Sequence, residues 1–569
     1  MDSQRLILFF VFAFSVFMLL DAWQRDQQPA KPAPAVVEKD KAAQGPAASA
    51  TAADVPVPSE KLAAPAPAQA TAPRPEKGMA REGAMIEVET DLMVARISAE
   101  GGDLRYVRFK KHRDTLDKKK DFVLLEVSPE RTYIAQSGLI GSGLPNHRTA
   151  YKAEAASHQL AEGQDALEVR LSAPTGGGME VVKAYRFRRN SYLVEVSFEL
   201  VNKGSAPAQP YAYFQLVRDG NPPAGDSAML PTFTGFALYT EKEKFQKVSF
   251  EDVAKAKTPY PKNSNDGWIA VLQHYFFSAW LPKNGTPREF YTRKLDENLY
   301  SAGVIVPAGP IAPGAQGAVT VPLYVGPEEQ EKLSKIAPGL DLTIDYGWLT
   351  VIAVPLFWVL AWLNQWVGNW GIAIIILTII IKALFYPLSA ASYRSMAKMR
   401  VLAPKLQKLK DQYGDDRQRL QQAMMELYKT EKINPLGGCM PILVQIPVFI
   451  ALYWVLLASV ELRHAPFMLW IDDLAAPDTL FGVWFGMPIG LLPILMAATM
   501  WIQTMLNPEP PDPVQAKVMK IMPLVFSIFF FFFPAGLVLY WLINNILSIA
   551  QQWRITRVLE REAAAARKS

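Results

Sequence analysis

Hydrophobic and polar positions divide the chain into three textures. Between residues 84 and 335 apolar side chains fall at every second position: Leu167, Val169 and Leu171, then Tyr192, Val194, Val196, Phe198 and Leu200, then Val319, Val321, Leu323 and Val325. Period two is the repeat of a strand with one buried face. Turn residues separate the runs, as in Gly101-Gly102, Thr175-Gly176-Gly177-Gly178 and Asn202-Lys203-Gly204. The pattern predicts a large antiparallel β-sandwich. Beyond residue 340 it gives way to long apolar runs broken by short polar turns, which predicts membrane helices. Residues 24–83 have neither pattern. They are rich in Ala, Pro, Lys and Glu, too poor in large apolar groups to bury a core, and read as a flexible linker.

The apolar runs set the topology. Residues 6–20 follow Arg5 and lack a small-x-small cleavage site, since Trp23 and Arg25 come directly after. Residues 1–23 therefore read as a retained transmembrane anchor whose far end lies outside the cytoplasm. Residues 346–365 are apolar but contain Pro355 and three tryptophans, and only Gly368 and Asn369 separate them from the next run. Two full spans cannot reverse direction in so little chain, so 340–366 is expected to be an interfacial amphipathic helix. Five spans then make a core over 370–552, at 370–388, 442–460, 483–506, 519–533 and 537–551. With the anchor, the fold class is a bundle of six transmembrane helices joined to a β-sandwich.

One position in those runs breaks the rule. Lys382 sits inside an otherwise apolar stretch, about 18 Å along a helix from both Trp370 and Arg394. An ammonium at that depth costs about 2.5–3.5 kcal/mol on insertion scales unless water or a counter-ion reaches it. The other spans hold no carboxylate in their interiors. The cation must be hydrated, snorkel to the interface, or meet a partner from outside.

Charge changes the picture through its placement more than its sum. The net charge is +5 over 569 residues, small for a nucleic-acid binder. The insertion at 390–434 holds ten basic residues, among them Arg394, Lys398, Lys405, Lys408 and Lys410, against five acids. The tail at 553–569 adds Arg554, Arg557, Arg561, Arg567 and Lys568, whereas 461–478 is acidic. Positive residues stay inside, so both termini are expected in the cytoplasm and the β-domain across the membrane. Within the insertion, Met396, Met399, Leu402, Leu406 and Leu409 recur at helical spacing. After a break at Gly414-Asp415-Asp416, Leu420, Met424 and Leu427 resume, which predicts a helical hairpin. It is either a solvated connector or a docking arm.

Candidate chemistry is sparse. The single cysteine, Cys439, allows no intramolecular disulfide, and five histidines without H-E-x-x-H or Cys/His clustering suggest neither metal nor cofactor. Trp268, His274, Tyr275 and Trp280 are either aromatic platforms for a ligand or core packing. No carboxylate pair or nucleophile–base spacing marks an enzyme. The polar residues within the spans are few: Thr378, Lys382, Gln445, Thr499, Gln503, Ser527, Tyr540, Asn544 and Asn545. Met and Phe, soft enough to accommodate varied apolar partners, crowd the fourth and fifth spans. A hydrated pocket with one cation, bordered by such residues, suits a passing hydrophobic helix with an acidic or polar flank. A secondary transporter would show related halves and intramembrane carboxylates, and neither is evident. A membrane-anchored periplasmic carbohydrate-binding protein or enzyme is the other alternative.

Four stretches then bear on family: P-L-S-A-A-S-Y-R-S-M-A-K-M-R (387–400), I-N-P-L-G-G-C-M-P (433–441), V-E-L-R-H-A-P-F (460–467) and F-P-A-G-L-V-L-Y-W (533–541). In these, and in the order of its segments, the chain resembles the YidC family of bacterial membrane protein insertases. The resemblance implies a hydrophilic groove open to the cytoplasm, which receives nascent membrane-protein segments and releases them laterally into the inner membrane, alone or with the secretion channel. By the same matching, Lys382 is the groove's positive residue, and Thr378, Gln445, Tyr540 and Trp541 line the groove or the substrate path. The family more often has Arg at the position of Lys382; here the charge is kept and the planar five-donor fork is lost. The resemblance further implies a ribosome or targeting machinery at the hairpin and tail, and secretion-channel accessory subunits at the periplasmic β-domain.

Overall fold

The structure, a computed structural model, describes residues 55–58, 84–174, 178–225, 232–413, 416–431, 440–506 and 513–566. The expected anchor, most of the linker and the end of the tail lie outside these.

The period-two stretches form strands in two large sheets, one of ten strands and one of nine. Along Leu193–Asn202 every second residue is buried, and Val194, Val196, Phe198 and Leu200 all face inward. This strand pairs antiparallel with Met179–Arg188 on one side and Gln316–Pro327 on the other. In the ten-stranded sheet Tyr211–Asp219 lies antiparallel between Thr132–Ile140 and Leu299–Pro307. One parallel pairing, Met85–Glu89 with Ser157–Gln159, closes that sheet's edge. Aromatic rings join the two layers: Phe122 stacks on Phe276 at 4.1 Å, and Phe214 meets Phe198 at 6.0 Å and Trp280 at 5.0 Å. Trp268, Tyr275 and Trp280 are buried in this core, as the packing alternative expects. His274 Nε2 donates to the Leu457 carbonyl, 2.9 Å away.

The sandwich also buries charge. Lys183, fully enclosed, donates to the carbonyls of Gly101 and Ser137 at 2.9 and 3.0 Å and lies 3.7 Å from the equally enclosed Asp103. Burial pushes the Asp103 carboxyl up and the Lys183 ammonium down to about 8, because desolvation outweighs their mutual attraction.

Two short helices, α1 (Phe250–Ala254) and α2 (Gln330–Ile336), belong to the β-domain. The helical half comprises α3 (Thr350–Val367), α4 (Trp370–Leu384), α5 (Tyr386–Tyr413), α6 (Arg417–Thr430), α7 (Met440–Ala458), α8 (Leu491–Leu506), α9 (Pro513–Phe530) and α10 (Ala535–Ala566). The two-residue link from α3 to α4 is resolved by capping. Gly368 adopts φ 65° to end α3, and the Asn369 side chain accepts from the Ile372 amide to start α4.

Lengths depart from the expected spans. Among the described residues, Gly347–Val367 is the one unbroken helix both long and apolar enough to cross a bilayer. It covers the stretch expected at the interface. Its tryptophans Trp358, Trp362 and Trp366 are exposed, while Phe357 and Leu360 are buried. The second expected span breaks after Leu384, and the chain bends by 66° into α5. Of the fourth expected span, 483–506, only Leu491–Leu506 is helical; Val483–Trp484 and Met487–Pro488 instead pair as a β-hairpin. Gly482 and Gly486, both at positive φ, and Pro488 interrupt the helix there.

Residues 459–490 link the two halves. The Arg463 guanidinium lies 5.1 Å from the Phe122 ring and 5.3 Å from Phe276, and donates to Thr115 Oγ1 at 3.0 Å. Lys118 pairs with Asp473 at 3.5 Å, and Glu461 accepts from the Gln330 amide at 3.3 Å.

Candidate substrate groove

Five helices surround a cavity of about 300 Å³. α4 contributes Lys382, α5 contributes Ser389 and Tyr393, α7 contributes Gln445, Ile446 and Phe449, and α8 contributes Met500, Gln503 and Thr504. α10 supplies the most: Tyr540, Trp541, Asn544, Asn545 and Ser548. Tyr540, Asn544 and Ser548 recur every fourth residue and so form one polar stripe on a mostly apolar helix.

Lys382 reaches the cavity from the last turn of α4, just before the bend. Its Nζ donates to Ser548 Oγ at 2.8 Å, and Ser548 in turn donates to the Asn544 carbonyl at 2.7 Å. Among the described residues no carboxylate lies within ion-pair reach of it. A serine hydroxyl offers a dipole rather than a counter-charge, so the bond orients the ammonium without neutralising it. Farther along the same stripe, Gln445 Nε2 donates to the Tyr540 hydroxyl at 2.6 Å. Phe449 packs edge-on against Trp541 at 4.3 Å, and Phe530 lies 5.2 Å from the same indole. Asn545 donates to Thr499 Oγ1 at 3.3 Å, while Asn544 Oδ1 is buried without a partner.

Four of the five residues expected at a groove, Lys382, Gln445, Tyr540 and Trp541, therefore share one cavity wall system. Thr378 does not. It is buried and donates to the Ile374 carbonyl at 2.7 Å, one turn above Lys382 and facing the helix packing. Among the polar lining residues, sequence reasoning missed Ser389, Tyr393, Thr504 and Ser548. The four-residue spacing of Tyr540, Asn544 and Ser548 was the available signal. The lining holds donors, acceptors and one cation beside apolar rings, with no nucleophile–base pair.

Two family models match the chain: "YidC periplasmic domain" over residues 85–359 and "60Kd inner membrane protein" over 362–562. The membrane protein insertase YidC of Nitrosospira multiformis is 55% identical over 99% of this chain and 98% of its own. That of Methylobacillus flagellatus is 56% identical over 99% of both chains. The crystal structure of an active YidC insertase with its first transmembrane domain resolved is 19% identical, at a TM-score of 0.38, and covers 83% of this chain and 92% of that one. At more than half identity over its whole length, this chain belongs to the YidC family of membrane protein insertases, bacterial inner-membrane proteins with a periplasmic domain whose work is insertion and chaperoning rather than catalysis.

Proposed function

We propose that the 300 Å³ cavity is where this insertase receives the hydrophobic segments of nascent membrane proteins. The observation behind it is Lys382, a cation bonded to Ser548 and facing a cavity that sets polar groups beside apolar side chains. An acidic or polar flank of the substrate is drawn to that charge, which is strong because the surrounding helices lower the local dielectric. Meanwhile its apolar body slides past Phe449, Met500 and Trp541 into lipid. No bond is made or broken. Gln445 and Tyr540 line the path; Thr378 supports the α4 backbone beside it.

The chain is arranged with six spans and both termini in the cytoplasm, α3 lying along the interface. Basic residues on α5, α6 and the end of α10 support that orientation, as do the acidic residues of 461–478, which touch the periplasmic domain. The basic hairpin and tail then face a ribosome or targeting machinery, and the β-domain faces the secretion channel and its accessory subunits.

The test is reconstitution in liposomes with a single-span substrate bearing an acidic translocated tail, read as protease protection of that tail. Protection by wild type and its loss in Lys382→Glu is the expected result. Equal protection by both overturns the role of Lys382.

A further inference from the structure

From Thr479 to Leu506 the chain holds no charged residue, yet its first part is not helix. Val483–Trp484 and Met487–Pro488 pair across a two-residue tip, Phe485–Gly486. The base of the hairpin closes on itself. Phe481 donates to the Ile489 carbonyl at 2.9 Å, Ile489 to Gly482 at 2.8 Å and Gly482 to Thr479 at 2.8 Å. Even the Trp484 indole N–H is used, on the Phe481 carbonyl at 3.0 Å. Internal closure of this kind is what an apolar medium demands of irregular backbone.

The side chains do the opposite and reach outward. Val483 is 62%, Trp484 63% and Phe485 fully exposed. Phe485 also holds φ 52°, a left-handed backbone that Gly or Asn adopts at lower cost. An aromatic ring kept in an unfavourable conformation, touching nothing in the fold, has no structural reason to be there.

The base of the hairpin is rigid. The buried Asp478 carboxylate accepts from the Trp470 indole at 3.1 Å, from the Leu480 amide at 3.1 Å and from the Leu492 amide in the first turn of α8 at 2.8 Å. Gly490 permits this closeness, since a Cβ there would stand 2.4 Å from the Asp478 carboxyl carbon. The tip is therefore fixed at the start of α8, where exposed Ile494 and Leu495 continue the apolar surface. The adjoining loop touches the periplasmic domain through Lys118–Asp473 and Arg463–Thr115.

We propose that the Phe481–Ile489 hairpin is a wedge that seats Val483, Trp484 and Phe485 among the phospholipids of the periplasmic leaflet. Lipid fits better than a protein partner on three counts. Exposed apolar side chains recur on α8 at Ile494 and Leu495, no charged residue lies between Thr479 and Leu506 to supply the polar rim of a protein interface, and its two-residue strands are too short to add a foreign strand. Trp and Phe are side chains suited to the headgroup boundary.

The test uses the full chain with Cys439→Ala and Phe485→Cys, nitroxide-labelled and reconstituted in phosphatidylethanolamine–phosphatidylglycerol vesicles. Spin relaxation by oxygen, which concentrates in lipid, is compared with relaxation by a water-soluble nickel chelate. Labels at Lys119→Cys, exposed on the β-domain, and at Ile502→Cys, exposed on α8, serve as aqueous and lipid references. The expected result is an oxygen-favoured signal at 485, on the Ile502 side of zero. A chelate-favoured signal like that of Lys119 overturns the wedge, and so does shielding from both reagents, which would mean a protein surface covers it. The Ile502 reference reports separately whether α8 lies in lipid, so failure of the wedge and failure of the bundle's placement are distinguishable. A photo-crosslinking residue at Val483 gives a second readout: phospholipid adducts support the wedge, and adducts to protein alone overturn it.

Discussion

Lys382 Nζ donates to Ser548 Oγ at 2.8 Å, so the one cation of α4 is held by a neutral hydroxyl from α10. The bond orients the ammonium without cancelling it. Lys382→Arg should retain insertion activity, since charge is kept, whereas Lys382→Glu should repel an acidic tail and lower its protected fraction by roughly tenfold, about 1.4 kcal/mol. Ser548→Ala should have a small effect by comparison. Protease protection in liposomes measures all three.

The Gln445–Tyr540 bond should be separable from that charge. Tyr540→Phe leaves the Gln445 amide without its partner, a loss of about 1–3 kcal/mol where water does not replace it. The expected outcome is a lower melting temperature in detergent micelles, with the preference for acidic tails unchanged. A change in tail preference would place Tyr540 in charge recognition instead.

In the β-domain, Lys183 and Asp103 are enclosed together. Lys183→Met strands a buried carboxyl that already resists ionisation, and should destabilise the domain by about 3–5 kcal/mol. Adding Asp103→Leu should recover most of that loss, because the uncompensated group is removed. Thermal unfolding of the two variants, followed by circular dichroism of the sheets, decides it.

The junction between the halves should respond to pH. Glu461 is half-buried beside α2, and desolvation, with Glu329 and Glu331 nearby, pushes its carboxyl from 4.5 up to about 7. Its Oε1 accepts from the Gln330 amide while Oε2 is buried without a partner. The docked state thus holds a proton that the undocked state releases. Docking is strongest below about 4.5, weakens as pH rises toward about 7, and levels off above, by about 3 kcal/mol at most. Glu328, buried and also pushed well up, adds a slope of the same sign. Hydrogen exchange in Gln330–Ile336, corrected for intrinsic rates, should be faster at pH 8 than at pH 5, and Glu461→Gln should reduce the difference.

Much of the architecture was legible because it is local. Alternation along Leu193–Asn202 specifies a half-buried strand wherever that strand sits, and an apolar run around Lys382 specifies a helix. The short motifs carried the family, and four of the residues it implied line one cavity. Helix phase did not. Thr378 lies four residues before Lys382 and so nearly on the same face, yet the α4 packing buries it while the longer Lys382 side chain extends into the cavity.

What the sequence by itself determined was the kind of each described segment: alternating strands, apolar runs, a basic helical hairpin, and one cation in an apolar run without a local counter-charge. Tertiary structure alone decided that Ser548, far along the chain, meets that cation, that Trp268 and Trp280 fill a core, and that residues 483–488 leave the helix to form an exposed hairpin. The physical reason is that periodicity records which face of a segment is apolar, whereas the partner of that face is chosen by packing between segments distant in sequence.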